Sequence, residues 1–220
     1  MIENRIKYIL QDNKRIAIMG GTFDPIHFGH LIAAETVREK YNLDKVIFLP
    51  SGNPPHKDKR RVTSKEDRYN MVQMATASNQ YFDVSRMEID RDGYTYTIDT
   101  IREFVSVSSK GTNIYFITGA DAVYDILTWK DADELLSVCR FIAVTRPGYN
   151  KKELEEEINT IKSNHKCNIN ILEIPDIAIS STDIRQRVMK GSFIKYLVPE
   201  HVEAYIRKHA IYQNRGGHNE

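Results

Sequence analysis

Two histidines three residues apart, His27 and His30, close the stretch Gly20-Gly21-Thr22-Phe23-Asp24-Pro25-Ile26-His27-Phe28-Gly29-His30. The apolar run Ile16–Met19 before it reads as a buried strand ending in a tight turn. Residues from about Phe28 to Tyr41 read as a helix, with Leu31, Ala34 and Arg38 setting a 3.6-residue spacing. The pair therefore falls on one face of a first helical turn. A helix N-terminus carries partial positive charge and free N–H donors. Gly20 and Gly21 lack Cβ atoms, so backbone N–H groups there can approach an anion closely. An imidazole donates a hydrogen bond when neutral and carries charge when protonated. Phosphoryl transfer uses such groups, because most of its catalysis is positioning and charge stabilisation. Two glycines alone, or either histidine alone, would mark an ordinary turn; their coincidence at a strand–helix junction points to phosphate chemistry. Neither the G-x-x-x-x-G-K-[ST] loop nor the dinucleotide G-x-G-x-x-G pattern is present.

A second stretch, Ile179-Ser180-Ser181-Thr182-Asp183-Ile184-Arg185, sets three hydroxyls before a helix. Ser180 with Asp183 resembles a capping box, which alone would mark only a helix start. Arg185 lies about one turn in, where a guanidinium reaches an anion held by the N-terminal amides. Two helix N-termini could then face one polyphosphate.

The elements that must position these residues alternate. Strands are expected at Ile16–Met19, Val46–Leu49, Phe82–Ile89, Asn113–Thr118, Phe141–Val144 and Asn170–Ile174. The untidy alternation of the third places it near a sheet edge. Between them lie a helix from the Thr63–Glu66 capping box to about Ser78, and one over Tyr96–Val107 with Ile98, Ile101 and Val105 on one face. A helical stretch runs through Trp129 to Val138, and Leu154, Ile158 and Ile161 face inward from Lys151–Ser163. Ser180–Lys190 and Pro199–His209 are the last helices. Residues 51–62, SGNPPHKDKRRV, form a loop. Alternation of this kind implies parallel strands with right-handed crossovers, covered on both faces by helices. The expected fold is a single α/β domain, a doubly wound Rossmann-like parallel sheet, with ligands beyond the carboxyl ends of the strands. It spans 15–210, after an N-terminal extension (1–14) and before a flexible tail (211–220).

Composition narrows the classes. In 220 residues, 31 basic and 30 acidic side chains leave a net charge of +1. That balance disfavours a nucleic-acid partner. Cys139 and Cys167 form no CxxC and read as reduced thiols, and no zinc site is expected. No apolar run reaches the ~20 residues that cross a bilayer, and the charged N-terminus lacks a signal-peptide core, so a cytoplasmic protein with no membrane partner is expected. A homo-oligomer is compatible with the sequence.

Together, GGTFDPIHFGH and ISSTDIR resemble the HxGH nucleotidyltransferase superfamily and, more narrowly, the bacterial nicotinate-nucleotide adenylyltransferases. The resemblance runs from about Arg15 to His209. It includes Asn53-Pro54-Pro55-His56-Lys57, Tyr96-Thr97-Ile98-Asp99-Thr100, Gly119-Ala120-Asp121, Trp129-Lys130 and Thr145-Arg146-Pro147-Gly148. It implies in-line attack of nicotinate mononucleotide on the α-phosphate of ATP, with Mg2+ carried by ATP. The products would be nicotinate adenine dinucleotide (deamido-NAD) and pyrophosphate, a late step of NAD biosynthesis. By position, the resemblance makes His27, His30 and Arg185 catalytic, with no metal held by protein ligands. Gly20, Gly21, Thr22, Phe23, Ser180 and Ser181 join them around ATP. Lys57, Thr97, Asp121, Trp129, Lys130 and Arg146 go to the mononucleotide. On the residues alone, Trp129 reads first as a packing anchor and next as an aromatic platform. Asp121 is a helix cap or a ribose ligand, and Lys57 a solvated charge or part of a closing loop.

Other readings stay open at this point. A relative using nicotinamide mononucleotide or phosphopantetheine, or a cytidylyltransferase, shares the first motif. A non-catalytic nucleotide sensor on the same fold would bind ATP without releasing pyrophosphate.

Overall fold

The computed structural model describes residues 8–10, 13–54 and 62–213. A six-stranded sheet forms the middle layer: β1 (Arg15–Gly21), β2 (Lys45–Pro50), β3 (Phe82–Val84), β4 (Asn113–Gly119), β5 (Arg140–Thr145) and β6 (Asn168–Glu173). Every pairing is parallel, in the order β3-β2-β1-β4-β5-β6. Strand order reverses between β1 and β4, and there their carboxyl ends, Gly20-Gly21 and Thr118-Gly119, open a crevice. The four central strands are buried along their middles, as apolar runs covered on both faces require.

Helices cover both faces. On one lie α1 (Phe28–Lys40), α2 (Lys65–Thr76), α7 (Ser181–Met189) and α8 (Glu200–Lys208). Their core includes Ala34, Val37, Met71, Val72, Ile184 and Val202. The other face carries α3 (Thr97–Val107), α4 (Asp121–Asp125), α5 (Ala132–Val138) and α6 (Lys151–Asn164), with Ile98, Phe104, Leu136 and Ile158 in the core.

Several elements differ from the sequence expectation. The third strand stops at Val84, because Arg86 turns out to pair with Glu66 and Asp90. α2 is capped by Ser64, whose Oγ accepts from the Asp67 amide; Thr63 is instead drawn away, its amide donating to Asp24 and its carbonyl accepting from Arg68. Phe104, not Val105, completes the buried stripe of α3, and Ala33 and Val37 rather than Arg38 face inward from α1. The helical stretch toward Val138 breaks after a 3-10 turn (Ile126–Thr128), and Asp131 takes a left-handed φ of 50° before α5. Packing also passes both domain boundaries. Ile9 and Leu10 of the extension are buried, as is Ile211 of the tail, while Tyr212 donates to Asp24 at 2.7 Å.

Candidate active site

The first motif folds as a strand end, a turn and a helix start, and side chains pack closely over its glycines. A Cβ on Gly20 would sit 3.0 Å from the Phe116 ring, and one on Gly21 2.9 Å from the Phe23 ring. Phe23 adopts a positive φ of 50°, unfavourable for an aromatic residue, and its buried ring is held by packing. That ring meets His30 edge-on at 5.1 Å. Phe23 thus packs against a histidine; like Ser180, Ser181 and Arg185, it adjoins the clefts described below without lining either.

His27 caps α1 in an extended conformation and His30 follows one turn later. Their rings stack, with centroids 3.8 Å apart and planes 29° apart. The His27 amide donates to His30 Nδ1 at 3.2 Å. A neutral imidazole whose Nδ1 accepts carries its proton on Nε2, so His30 presents an N–H donor from the other edge. Burial holds His27 down at about 4, and burial followed by the neighbouring His27 puts His30 well below the usual histidine range. Both rings are neutral donors at physiological pH. Gly29 leaves room for the stack, since a Cβ there would lie 3.0 Å from the His27 ring and crowd it.

The second motif meets the first. Ser180 caps α7 by accepting from the Asp183 amide at 3.1 Å. Ser181 Oγ donates to the Pro25 carbonyl at 2.8 Å, and Arg185 Nη1 to the Asp24 carbonyl at 2.7 Å. The starts of α1 and α7 therefore adjoin.

Two clefts flank the crevice and share Gly20 and Thr118. The first, about 340 Å³, takes His27 and His30 together with Asp121 and Arg146 from the loops after β4 and β5. Its floor is apolar, with Ile117, Val144 and Ile177. The second, about 430 Å³, is lined by Gly21, Thr22, Thr97, Trp129 and Lys130, with Glu88. Asp121 and Arg146 thus stand with the histidines rather than with Trp129 and Lys130. Lys57 lies outside the described residues. Trp129 packs edge-on against Phe116 at 6.2 Å. Lys130 Nζ bridges to Asp99 at 2.9 Å and lies 4.7 Å from the Tyr96 ring centre. α3 begins at Thr97 without a side-chain cap, so its first amides have no side-chain partner, and Tyr96 and Thr97 both line this cleft.

Sequence reasoning missed Asp24, Arg68, Glu88 and Tyr149. Arg68 is almost wholly buried and spends its fork on three carbonyls: Thr22 at 2.7 Å, Thr63 at 3.0 Å and Gly52 at 3.3 Å. Tyr149 donates to Asp121 Oδ1 at 3.0 Å on the rim of the first cleft. Arg68 had one signal, a position one turn into a capped helix like that of Arg185. Asp24 lies inside the first motif but its partner Tyr212 is remote in the chain.

A reversed-order parallel sheet with stacked histidines at the helix after β1 defines a nucleotidyltransferase of the cytidylyltransferase-like class, and the family model of that description matches residues 18–187. Relatives narrow it. A probable nicotinate-nucleotide adenylyltransferase of Thermoanaerobacter sp. (strain X514) is 58% identical over 90% of this chain and 94% of its own. One from Moorella thermoacetica is 55% identical over 91% and 93%. The chain belongs to the nicotinate-nucleotide adenylyltransferase family. In fold it is similar to the Plasmodium falciparum nicotinic acid mononucleotide adenylyltransferase complexed with NaAD, with a TM-score of 0.74, 20% identity, and coverage of 90% of this chain and 97% of that one.

Proposed function

We propose that this protein transfers the adenylyl group of ATP to nicotinate mononucleotide, as the relatives' names imply, making nicotinate adenine dinucleotide and pyrophosphate. The observation that carries the reading is the pair of clefts meeting at Gly20 and Thr118, with the histidine stack on one side and Trp129 on the other. ATP takes the first cleft. Its base lies on the apolar floor, its ribose hydroxyls face Asp121, and its phosphates meet His27, His30 and Arg185. Ser180 supports that end by capping α7, and Ser181 by holding α7 against the turn. The mononucleotide takes the second cleft, its flat ring against Trp129 and its carboxylate toward the uncapped start of α3, which favours an anion. Lys130 adds positive charge there, and Lys57 is assigned to the same substrate.

An oxygen of the mononucleotide's phosphate attacks the α-phosphorus of ATP, and the bond from that phosphorus to the α,β-bridging oxygen breaks. Pyrophosphate leaves with the electron pair. Neutral N–H donors on His27 and His30 are aimed where negative charge grows, and the rings need not reorganise to meet it. Among the described residues no cluster of three or more His, Cys, Asp or Glu side chains suits a metal. Mg2+ would ride on the triphosphate, as it does wherever substrate phosphates supply its ligands, and neutralise part of its charge. Two thiols without disulfide partners support a cytoplasmic location.

Pyrophosphate release with ATP and Mg2+, comparing nicotinate and nicotinamide mononucleotides, tests the reading. Turnover preferring nicotinate mononucleotide is expected; turnover of the nicotinamide form alone would move the acceptor.

A further inference from the structure

The second cleft contains a buried carboxylate that substrate chemistry does not require. Glu88 is 5% exposed, yet stands on the cleft wall with Thr97 and Trp129. Thr100 Oγ1 donates to its Oε1 at 2.9 Å; burial pushes the carboxyl above the usual range, opposed by Thr100, then by the nearby Thr95 hydroxyl, Arg91 and the Gly52 backbone. Arg91 Nη1 reaches the same Thr100 hydroxyl at 2.9 Å. The backbones close around it as well. The Thr95 amide donates to the Asn53 carbonyl at 3.0 Å, and the Asn53 amide to Thr95 Oγ1 at 3.3 Å. A Cβ on Gly52 would fall 1.9 Å from the Glu88 carbonyl oxygen, so only glycine allows this approach.

Those partners come from two walls of one cleft. Gly52 and Asn53 belong to the loop leaving β2, whereas Thr95 and Thr100 bracket the start of α3. A buried carboxylate is costly to leave unpaired, so it fixes the place of the Thr100 hydroxyl that donates to it, while its own backbone packs against Gly52 and the Asn53–Thr95 bonds tie the loop to the start of α3. We propose that Glu88 is a positioning residue for the mononucleotide, latching the loop after β2 to the start of α3 so that the amides at Thr97 and the ring of Trp129 face one substrate. It touches no reacting atom. The assignment to the mononucleotide rests on the functional reading above; the latch itself does not.

Full-length protein carrying Glu88→Gln gives two readouts. Without substrate, amide hydrogen exchange over 51–54 and 95–98 is expected to speed up about tenfold, the scale of a lost hydrogen bond to a charged group. Exchange in α7 should stay unchanged. Unchanged exchange at 51–54 and 95–98 would overturn the latch, whatever the substrate. In steady state, KM for nicotinate mononucleotide should rise about tenfold, with KM for ATP and kcat within about twofold. Equal rises in both KM values, or neither rising, would reduce Glu88 to a structural group. Faster exchange in a protein whose wild type makes no pyrophosphate from these substrates would leave the latch standing and overturn the functional reading instead. Thr100→Val removes one donor at nearly constant shape. It should shift both readouts the same way by a smaller factor, and it carries the test if Glu88→Gln does not fold.

Discussion

The starts of α2 and α7 are two versions of one device. Each has a serine cap, Ser64 or Ser180, and an arginine about one turn in that donates to the turn after β1. Arg68 takes the Thr22 carbonyl and Arg185 the Asp24 carbonyl, both at 2.7 Å. The turn that presents His27 is thus clamped from both sides. The difference lies in what each arginine has left. Arg68 is buried, with all three nitrogens of its fork on carbonyls, and burial pulls its guanidinium below the usual range, opposed first by Asp24. Arg185 is half-buried, with its second terminal nitrogen on the exposed Thr182 hydroxyl at 3.2 Å. A saturated guanidinium can only hold; one with exposed donors can also meet a ligand.

Replacing the saturated arginine should do the most damage to the fold. Arg68→Ala removes a buried side chain and leaves three half-buried carbonyls without their donors, with Asp24 keeping only Thr63 and Tyr212 among the described residues, so a loss on the order of 3–5 kcal/mol in denaturant unfolding is expected. Arg68→Lys should recover little of it, because an ammonium cannot reproduce the fork. A loss below about 1 kcal/mol would erase the contrast between the two helix starts.

Arg185→Ala should show the complementary pattern. kcat is expected to fall by ~10²–10³, the scale of one lost donor to developing charge, while the unfolding free energy changes by no more than about 1 kcal/mol. A variant as active as wild type but much less stable would make Arg185 a second Arg68.

The histidine held between the clamps gives a pH test. His27 sits at about 4 in the folded chain, against 6.5 as the ordinary value. Between those values the unfolded chain binds a proton that the folded one refuses, so stability rises with pH across that window and falls as acid is added. From pH 7 to pH 5 this group should remove about 2 kcal/mol, and His30, depressed in the same direction, adds to it. His27→Gln should flatten that slope in unfolding measured at the two pH values. An unchanged slope would mean that His27 titrates normally.

How much of this was legible depended on distance along the chain. The Gly20–His30 and Ile179–Arg185 stretches carry their own strand-turn-helix signals, so the α1 and α7 starts could be placed from local pattern. The sheet followed from the alternation of apolar runs with helical spacing. For Arg68 the one local signal, its place one turn into a capped helix, is weak, because an arginine in a helix is ordinarily solvated and only the fold shows three carbonyls converging on it. The Asp24–Tyr212 contact joins residues at opposite ends of the chain, and nothing local marks Tyr212 as packed. The break at Asp131 was hidden because the residues around it suit a helix and tertiary packing decides otherwise. The division of Asp121 and Arg146 from Trp129 also needed the sheet, since chain order interleaves residues of the two clefts.

That division leads to the smallest expected effect and the finest test. Arg68 reaches the loop of the second cleft through Gly52, whereas Arg185 reaches the turn that carries His27 into the first. If the clefts are separate half-sites, a change confined to one should leave the other's substrate alone. Trp129, the only tryptophan, is such a probe. Trp129→Ala removes the platform and should raise KM for the mononucleotide by up to about tenfold, as one aromatic contact allows, with KM for ATP within about twofold. Its edge contact with Phe116 is the rival explanation, because Phe116 packs over Gly20 between the two clefts. Loss transmitted that way would weaken both substrates together. Trp129→Phe decides between them: a smaller flat ring should restore mononucleotide affinity if stacking is the role, and equal impairment of both KM values in either variant would assign Trp129 to the scaffold.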